Sequence, residues 1–139
     1  MSVEVVYETH STSVDNECGI ATGWLEGALS AVGREQARTL GERRRNDGLT
    51  VVFTSDLHRA VETAEIAFAG AAIPIELDRR LRECNYGSLN GMPRAQLDAE
   101  RHKVPHSSAW ASFVFLFLIV GLPSYALRVR SLRKQRGRV

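Results

Sequence analysis

The sequence has few residues of the kinds that stabilise extracellular or metal-bound domains. Its 139 residues include only two cysteines, Cys18 and Cys84. Two cysteines are too few for a disulfide framework, and these two lack the CxxC spacing of a zinc site. The first ten residues contain neither a basic region nor a long apolar run, so the sequence predicts no secretory signal and a cytoplasmic protein with reduced thiols. This length predicts one domain.

Acidic residues are missing from the last part of the chain. All 16 Asp and Glu lie in residues 1–100, where ten Lys and Arg give a net charge of −6, and residues 101–139 carry +8. This break predicts a partial α/β domain over 1–100 and a divergent tail over 101–139, first apolar and then basic. The basic residues are not interleaved with aromatic ones and form no known motif, so nucleic acid is not an expected partner.

The apolar part of the tail, residues 109–127, admits three interpretations. Residues 107–127 contain no charged side chain and are long enough to span a membrane, with Trp110 and Tyr125 near the ends. The basic residues that follow argue against a span, because they would remain cytoplasmic and leave residues 1–100 outside without an export signal. A shift of reading frame near residue 100 and a divergent core segment are the other two interpretations.

Strand and helix patterns alternate along residues 1–101. Ser30 is a candidate N-cap for a helix over 31–45, with Val32, Ala37 and Leu40 on its apolar face. Ser55 is a candidate N-cap for a second helix over 56–68, and Pro93 can begin a third. Strands are predicted at 3–7, 50–54 and 73–77. The alternation predicts an α/β fold, a three-layer sandwich with a mainly parallel sheet that is incomplete at the C-terminus.

Two of the predicted strand ends carry side chains suited to phosphate chemistry. His10 follows the first strand, and Arg59 lies in the first turn of the helix after the second strand. Ligands of parallel sheets bind beyond the carboxyl ends of the strands, so both residues should face one crevice. A neutral imidazole can attack phosphorus, a guanidinium can bind a phosphate in two places, and Glu83 is a candidate acid for the leaving oxygen.

Four stretches in order resemble one protein family. They are THSTSVDN, ATGW, FTSDLHRAVETAE and RLRECNYGSLNG, within residues 3–93. Together they resemble the motifs of the histidine phosphatase superfamily, the phosphoglycerate mutase-like proteins. The resemblance implies hydrolysis of a small phosphorylated substrate through a phosphohistidine, without a metal ion or other cofactor.

The resemblance also assigns roles to single residues. It implies that His10 is the nucleophile and that Glu83 donates the proton. The residues implied to hold the substrate phosphate are Thr9, Ser11, Asn16, Thr22, Gly23 and Arg59. Hydrolysis is favoured over mutase chemistry, because the chain lacks the later basic residues with which mutases of this family hold phosphoglycerate. The oligomeric state is left open.

Two departures from the family pattern predict weak or absent turnover. The first motif of the family is Arg-His-Gly, whereas this chain has Thr9-His10-Ser11, so one cation that would stabilise the transferring phosphoryl group is missing. The family also has a late pocket histidine on a strand, and no such strand and turn are predicted here. The alternative to an enzyme is a protein that binds phosphate ligands without turnover, or a membrane-tethered pseudoenzyme.

Overall fold

A computed structural model describes residues 2–100, 116–122 and 128–130 of the chain. The strands are β1 (Ser2–Glu8), β2 (Ile20–Ala21), β3 (Leu49–Thr54), β4 (Ile75–Leu77), β5 (Met92–Pro93), β6 (Leu116–Leu122) and β7 (Arg128–Arg130). The α-helices are α1 (Val14–Glu17), α2 (Ala31–Arg44), α3 (His58–Ala67) and α4 (Arg94–Glu100). Short 3₁₀ turns lie at Arg79–Leu81 and Gly87–Leu89.

The main sheet has the strand order β4-β3-β6-β1-β7. Strand β3 pairs with β4 in parallel, and β1 pairs with β7 in parallel. Strand β6 lies between β1 and β3 and is antiparallel to both of them. Four of these five strands therefore run in one direction, and the predicted α/β class with a mainly parallel sheet is confirmed. The carboxyl ends of β1 and β3 lie at the same edge of the sheet.

The apolar part of the tail supplies the middle strand of this sheet. Leu116 pairs with Glu8 and Leu122 pairs with Ser2, along the whole of β1. This middle strand contains no histidine, so it does not supply the late pocket histidine of the family, and a divergent core segment is the interpretation of the apolar part with which this pairing agrees. Among the described residues no helix is both long and apolar enough to cross a membrane. The two histidines that follow residue 100 in the sequence, His102 and His106, lie outside the described residues.

The core lies between α2, α3 and one face of the sheet. It contains Val6 of β1, Leu40 of α2, Val52 of β3 and Ala64 and Phe68 of the α3 region, all buried. Apolar side chains at helical spacing on α2 and α3 meet alternate side chains of the strands, which is how an α/β fold removes apolar surface from water. This packing fixes the start of α3, and therefore Arg59, relative to the end of β1.

Helix α2 begins as predicted, because the side chain of Ser30 accepts a hydrogen bond from the amide of Gly33. The prediction that Val32 lies on the buried face is wrong, since Val32 is 57% exposed and the buried face begins at Gly33. Helix α2 lies so close to the 9–13 loop that a Cβ on Gly33 would lie 1.9 Å from the carbonyl oxygen of Thr12. Ala37 and Leu40 are buried as predicted, so only the first position of the apolar face differs, and a glycine makes the contact there.

The predicted N-cap at Ser55 is wrong. Helix α3 begins at His58, its N-cap residue is Leu57, and no side chain caps it. The Ser55 hydroxyl is buried and has no hydrogen-bond partner among the described residues. Strand β3 ends at Thr54, and Leu57 keeps an extended backbone with its side chain buried, so the helix starts only after it. Arg59 remains in the first turn, as predicted.

Candidate active site

His10 lies two residues after β1, with its imidazole largely buried. Its Nδ1 lies 2.7 Å from the backbone carbonyl oxygen of Ser11. A carbonyl can only accept, so Nδ1 carries the proton and Nε2 keeps its lone pair. Burial is the largest influence and lowers the pKa of His10, helped by the charge of Arg59, while the Ser11 carbonyl and Glu83 act in the opposite direction. The imidazole is therefore held neutral, which is the form that can attack an electrophile.

Arg59 is the most buried large side chain among the described residues, with 1% of its surface exposed. Its Nε donates to His10 Nε2 at 3.3 Å, and its Nη2 donates to Glu83 Oε2 at 2.8 Å. Two backbone carbonyls hold the other side of the guanidinium, that of Gly23 at 2.8 Å and that of Leu25 at 3.3 Å. Because these contacts satisfy a buried cation, the guanidinium has a fixed orientation.

Thr63 connects the end of β1 to α3 and was not predicted. Its hydroxyl accepts from the amide of Ser11 at 3.0 Å and donates to the carbonyl of Arg59 at 2.7 Å. Thr63 lies one helical turn after Arg59 on the same face, and its exposure is 0%. In the sequence, Thr63 is a hydroxyl residue four positions after Arg59 among the apolar residues of the predicted helix, and this spacing was the available signal. Ser11 therefore contributes its backbone amide to this connection.

Glu83 lies in an irregular segment that follows the 3₁₀ turn Arg79–Leu81. Its Oε2 accepts from Arg59, and its Oε1 lies 3.4 Å from the hydroxyl of Tyr86. Its backbone carbonyl accepts from the indole N–H of Trp24 at 2.7 Å. The structure thus brings His10, Arg59 and Glu83 together, although they come from three separate parts of the chain.

The loop after His10 contains a short helix that the sequence pattern did not predict. Helix α1 begins after Ser13, whose side chain accepts from the amide of Asn16, while Asn16 Oδ1 accepts from the amide of Ser13. Further along, the Thr22 hydroxyl donates to Asp15 at 2.8 Å. These bonds fold the loop back toward α3, and the carbonyl of Gly23 then reaches Arg59.

Two adjoining cavities meet at His10. The smaller one, about 360 Å³, is lined by His10, Asn16, Thr22, Arg59 and Glu83 among others. The larger one, about 950 Å³, is lined by Thr9, His10, Ser11 and Asn16 together with residues of α2. Of the eight predicted site residues, Gly23 alone lines neither cavity, and it acts through its carbonyl on Arg59. Thr9 and Ser11 line the larger cavity and not the smaller one, whereas Glu83 lines the smaller cavity and not the larger one.

Helix α4 adds two charged residues that sequence reasoning missed. Arg94 and Asp98, one helical turn apart, both line the smaller cavity with His10 and Glu83. Arg94 is the first residue of the helix, directly after Pro93. The available signal was a cation at a proline-initiated helix start, where free amides already favour an anion. Arg94 is therefore a second cation, besides Arg59, among the residues that line the smaller cavity.

Comparisons with known proteins find similarity over most of the chain. Residues 9–114 match the profile of the "Histidine phosphatase superfamily (branch 1)". A 2,3-bisphosphoglycerate-dependent phosphoglycerate mutase of Thermobifida fusca is 43% identical over 96 residues, which cover 66% of this chain and 39% of that protein. The chain thus spans about two fifths of the length of this curated relative.

Solved structures share the fold. The chain is similar to Bacillus stearothermophilus YhfR, with a TM-score of 0.67 and 30% identity over 77% of this chain and 53% of that one. It is also similar to a mycobacterial glucosyl-3-phosphoglycerate phosphatase complexed with VO3, with a TM-score of 0.61 and 29% identity. That match covers 78% of this chain and 51% of the other. The chain that brings these residues together around His10 is therefore similar to a mutase and a phosphatase, which are phosphoryl-transfer enzymes.

Proposed function

Because the chain belongs to the histidine phosphatase superfamily, we propose that it hydrolyses a small phosphomonoester through a phosphohistidine at His10. The observation that carries this proposal is the contact of one buried guanidinium, that of Arg59, with both His10 and Glu83. A nucleophile, a cation for the phosphoryl oxygens and a proton donor are thereby within reach of one phosphorus atom.

In the first step His10 Nε2 attacks phosphorus, and the bond from phosphorus to the leaving oxygen breaks. The Ser11 carbonyl keeps the proton on Nδ1, so the lone pair of Nε2 points toward Arg59 and the cavity. The same hydrogen bond stabilises the positive charge that the ring gains when the N–P bond forms. Neutral His10 needs no separate base, because its pKa is lowered by burial.

Arg59 exchanges acceptors when the substrate arrives. Without a ligand its inner donors bind His10 and Glu83, while the carbonyls of Gly23 and Leu25 hold its outer donors. A phosphate dianion carries more negative charge than either inner partner, so it competes with them for these donors. Glu83 is then released from Arg59 and lies beside the bound substrate.

Protonated Glu83 delivers its proton to the leaving oxygen as the P–O bond breaks. In the second step a water molecule attacks the phosphohistidine and gives a proton to the Glu83 carboxylate. The P–N bond breaks, neutral His10 is restored, and phosphate leaves. Tyr86, whose hydroxyl lies 3.4 Å from Glu83 Oε1, borders the path of the leaving group.

The substrate we propose carries a second anionic group. Arg94 lines the smaller cavity with Arg59, and a cavity of about 360 Å³ admits a phosphorylated metabolite of a few carbon atoms. The relatives named for phosphoglycerate act on molecules that contain a carboxylate beside the phosphate ester. Arg94 can bind such a carboxylate in two places. Together with the cytoplasmic location predicted from the sequence, this favours a soluble organic phosphate.

Thr9 supports a second candidate function, which is ligand binding without turnover. Thr9 is exposed and uncharged where the family motif has arginine. Loss of one positioned donor for a developing charge typically costs a factor of about 100 to 1000 in rate. The remaining cation, Arg59, is enough to hold a phosphate in the ground state, so binding would persist.

The test is detection of the phosphohistidine. Purified protein is mixed with p-nitrophenyl phosphate, quenched in alkali, and examined by intact-mass and peptide mass spectrometry for an addition on His10. The same measurement on His10→Asn and on the control His58→Asn, which alters an exposed histidine of α3, separates the site from surface chemistry. A phosphorylated His10 with release of p-nitrophenol supports the hydrolase. Phosphate-dependent thermal stabilisation without any phosphohistidine supports the binding protein. If neither result is obtained, both candidate functions are overturned.

A further inference from the structure

Three consecutive residues of the loop after β2 contact both members of the Arg59–Glu83 pair. The carbonyls of Gly23 and Leu25 accept from Arg59 at 2.8 and 3.3 Å. Between them, Trp24 donates its indole N–H to the backbone carbonyl of Glu83 at 2.7 Å. One turn of loop therefore holds the guanidinium of Arg59 with backbone carbonyls and the backbone of Glu83 with the Trp24 side chain.

The ring of Trp24 is held on its other side by a charged pair. The guanidinium of Arg82 lies 4.7 Å from the centroid of the Trp24 ring. Its Nε and Nη2 donate to the two carboxylate oxygens of Asp56, each at 2.5 Å. A cation over an indole face is attracted by the ring, and a bidentate carboxylate fixes the plane of that cation. The ring of Trp24 consequently has little freedom to rotate, although 40% of the residue is exposed.

The segment that bears Glu83 has no regular structure to hold it. Residues 82–86 belong to neither a helix nor a strand, so no ladder of backbone hydrogen bonds sets the direction of the Glu83 side chain. The bond from Trp24 holds the carbonyl of this residue, and the Arg82–Asp56 pair holds the residue before it. Asp56 is three positions before Arg59, so both ends of the Arg59–Glu83 contact are tied at close range.

We propose that Trp24 is a positioning residue for Glu83, acting through its indole N–H. This inference rests on the proposed function, because it gives Glu83 the task of donating a proton. Trp24 touches neither the nucleophile nor the cavity. It holds the backbone of Glu83 at the distance from which the carboxyl group reaches both Arg59 and a leaving oxygen.

The test compares two leaving groups. p-Nitrophenolate leaves without a proton, whereas the alkoxide of glycerol 2-phosphate needs one, so only the second substrate depends on Glu83. The variant Trp24→Phe removes the N–H and keeps an aromatic face for Arg82. We expect kcat for glycerol 2-phosphate to fall about tenfold and kcat for p-nitrophenyl phosphate to change less than about twofold. The control Leu77→Ala truncates another exposed apolar side chain, on β4, and should change neither rate.

A Glu83→Gln background completes the test. If Trp24 acts through Glu83, Trp24→Phe has no further effect on glycerol 2-phosphate once Glu83→Gln is present. Equal losses on both substrates, no loss on either, or a full additional loss in the Glu83→Gln background would overturn the positioning role. A wild-type chain that turns over neither substrate would overturn the hydrolase instead. In that case the crystal structure of Trp24→Phe tests the positioning role. A Glu83 carboxylate displaced from Arg59 supports the role, and an unchanged contact of 2.8 Å between Arg59 Nη2 and Glu83 Oε2 refutes it.

Discussion

Arg59 donates from Nε to Nε2 of His10 at 3.3 Å across 49 positions of sequence. This contact makes the imidazole a hydrogen-bond acceptor in the ligand-free state. It also sets a guanidinium beside the atom that we propose attacks phosphorus. A protonated His10 would have a hydrogen on that atom and would be repelled by Arg59, so the contact requires the neutral ring.

The first prediction concerns the dependence of stability on pH. Burial lowers the pKa of His10 in the folded state below its ordinary value of 6.5. Between the two pKa values the unfolded chain binds more protons than the folded chain, so stability falls as the pH decreases through this window. Above about 6.5 both states are neutral and this contribution to stability is constant. We expect His10→Gln to lose less stability than the wild-type chain between pH 7 and 5, measured by urea unfolding at each pH.

Parallel pH curves for the two proteins would show that His10 does not change its pKa on folding. The variant Leu77→Ala is the control, because it alters an exposed side chain that carries no titratable group. Its curve should run parallel to that of the wild-type chain. A deviation there would mean that other groups produce the difference.

The second prediction concerns Thr9. The side chain is exposed, borders the larger cavity and adjoins His10, so an arginine can be accommodated there. Thr9→Arg adds a cation for the oxygens of the transferring phosphoryl group. We expect kcat/KM for p-nitrophenyl phosphate to rise at least tenfold. Thr9→Gln, a neutral side chain of intermediate length, should raise it much less, and equal gains from both would exclude a charge effect.

The third prediction concerns Gly23, whose φ of +56° lies in the left-handed region. A Cβ at this position would lie 1.8 Å from Oδ1 of Asn90, which itself accepts from the amide of Tyr86 at 3.0 Å. Gly19 has a similar φ of +68° with nothing within 4 Å of the added carbon. Gly19→Ala should cost about 1 kcal/mol of unfolding free energy through backbone strain alone.

We expect Gly23→Ala to cost about 2 kcal/mol more than Gly19→Ala, because Asn90 cannot move without giving up its bond to Tyr86. Chemical denaturation of both variants measures the difference. Equal losses would mean that Asn90 moves aside freely. Gly23→Ala should also weaken phosphate binding, since the Gly23 carbonyl orients Arg59.

The fourth prediction concerns the ion pairs next to His10. Arg44 at the end of α2 is 8% exposed, and its Nε donates to Glu8 at 2.9 Å and its Nη1 to Asp47 at 2.9 Å. Burial opposes the charge of Arg44, but the hydrogen bonds to Glu8 and Asp47 outweigh it and raise the pKa of Arg44. Removing one member of the Glu8–Arg44 pair leaves the other with a single ion-pair partner in a largely buried place, because Arg44 keeps Asp47 and Glu8 keeps Arg43.

Glu8→Leu and Arg44→Met should each lower the unfolding free energy by about 2 kcal/mol, less than a fully buried pair because Glu8 is 18% exposed. The double variant should lose markedly less than the sum of the two. Strictly additive losses in thermal or urea unfolding would show that the two side chains do not interact.

Local sequence patterns predicted much of the fold. The Ser30 cap of α2 and the strands β1 and β3 were predicted to within one or two residues, because caps and runs of β-branched residues act over a few positions. The cap at Ser55 failed because burial of Leu57, a tertiary effect, moved the helix start. Strand β6 was missed because a continuous apolar run has no periodicity that separates a central strand from other buried segments.

Sequence motifs likewise predicted some residues of the candidate site and missed others. His10, Arg59 and Glu83 were predicted from motifs, since residue types and their order are written in the chain. The contacts of Thr63, the place of Arg94 in the cavity and the hydrogen bond from Trp24 to Glu83 were missed. Their partners lie far away in sequence, and nothing local to them indicates the contact.

The sequence by itself determined which chemical groups are available and the order in which strands and helices present them. Tertiary structure alone decided that one buried guanidinium touches an imidazole and a carboxylate, and that the imidazole is neutral. The physical reason is that hydrogen-bond geometry and desolvation depend on distances of a few ångströms between distant segments. Packing of α2 and α3 against the sheet sets those distances, and no short stretch of the chain contains them.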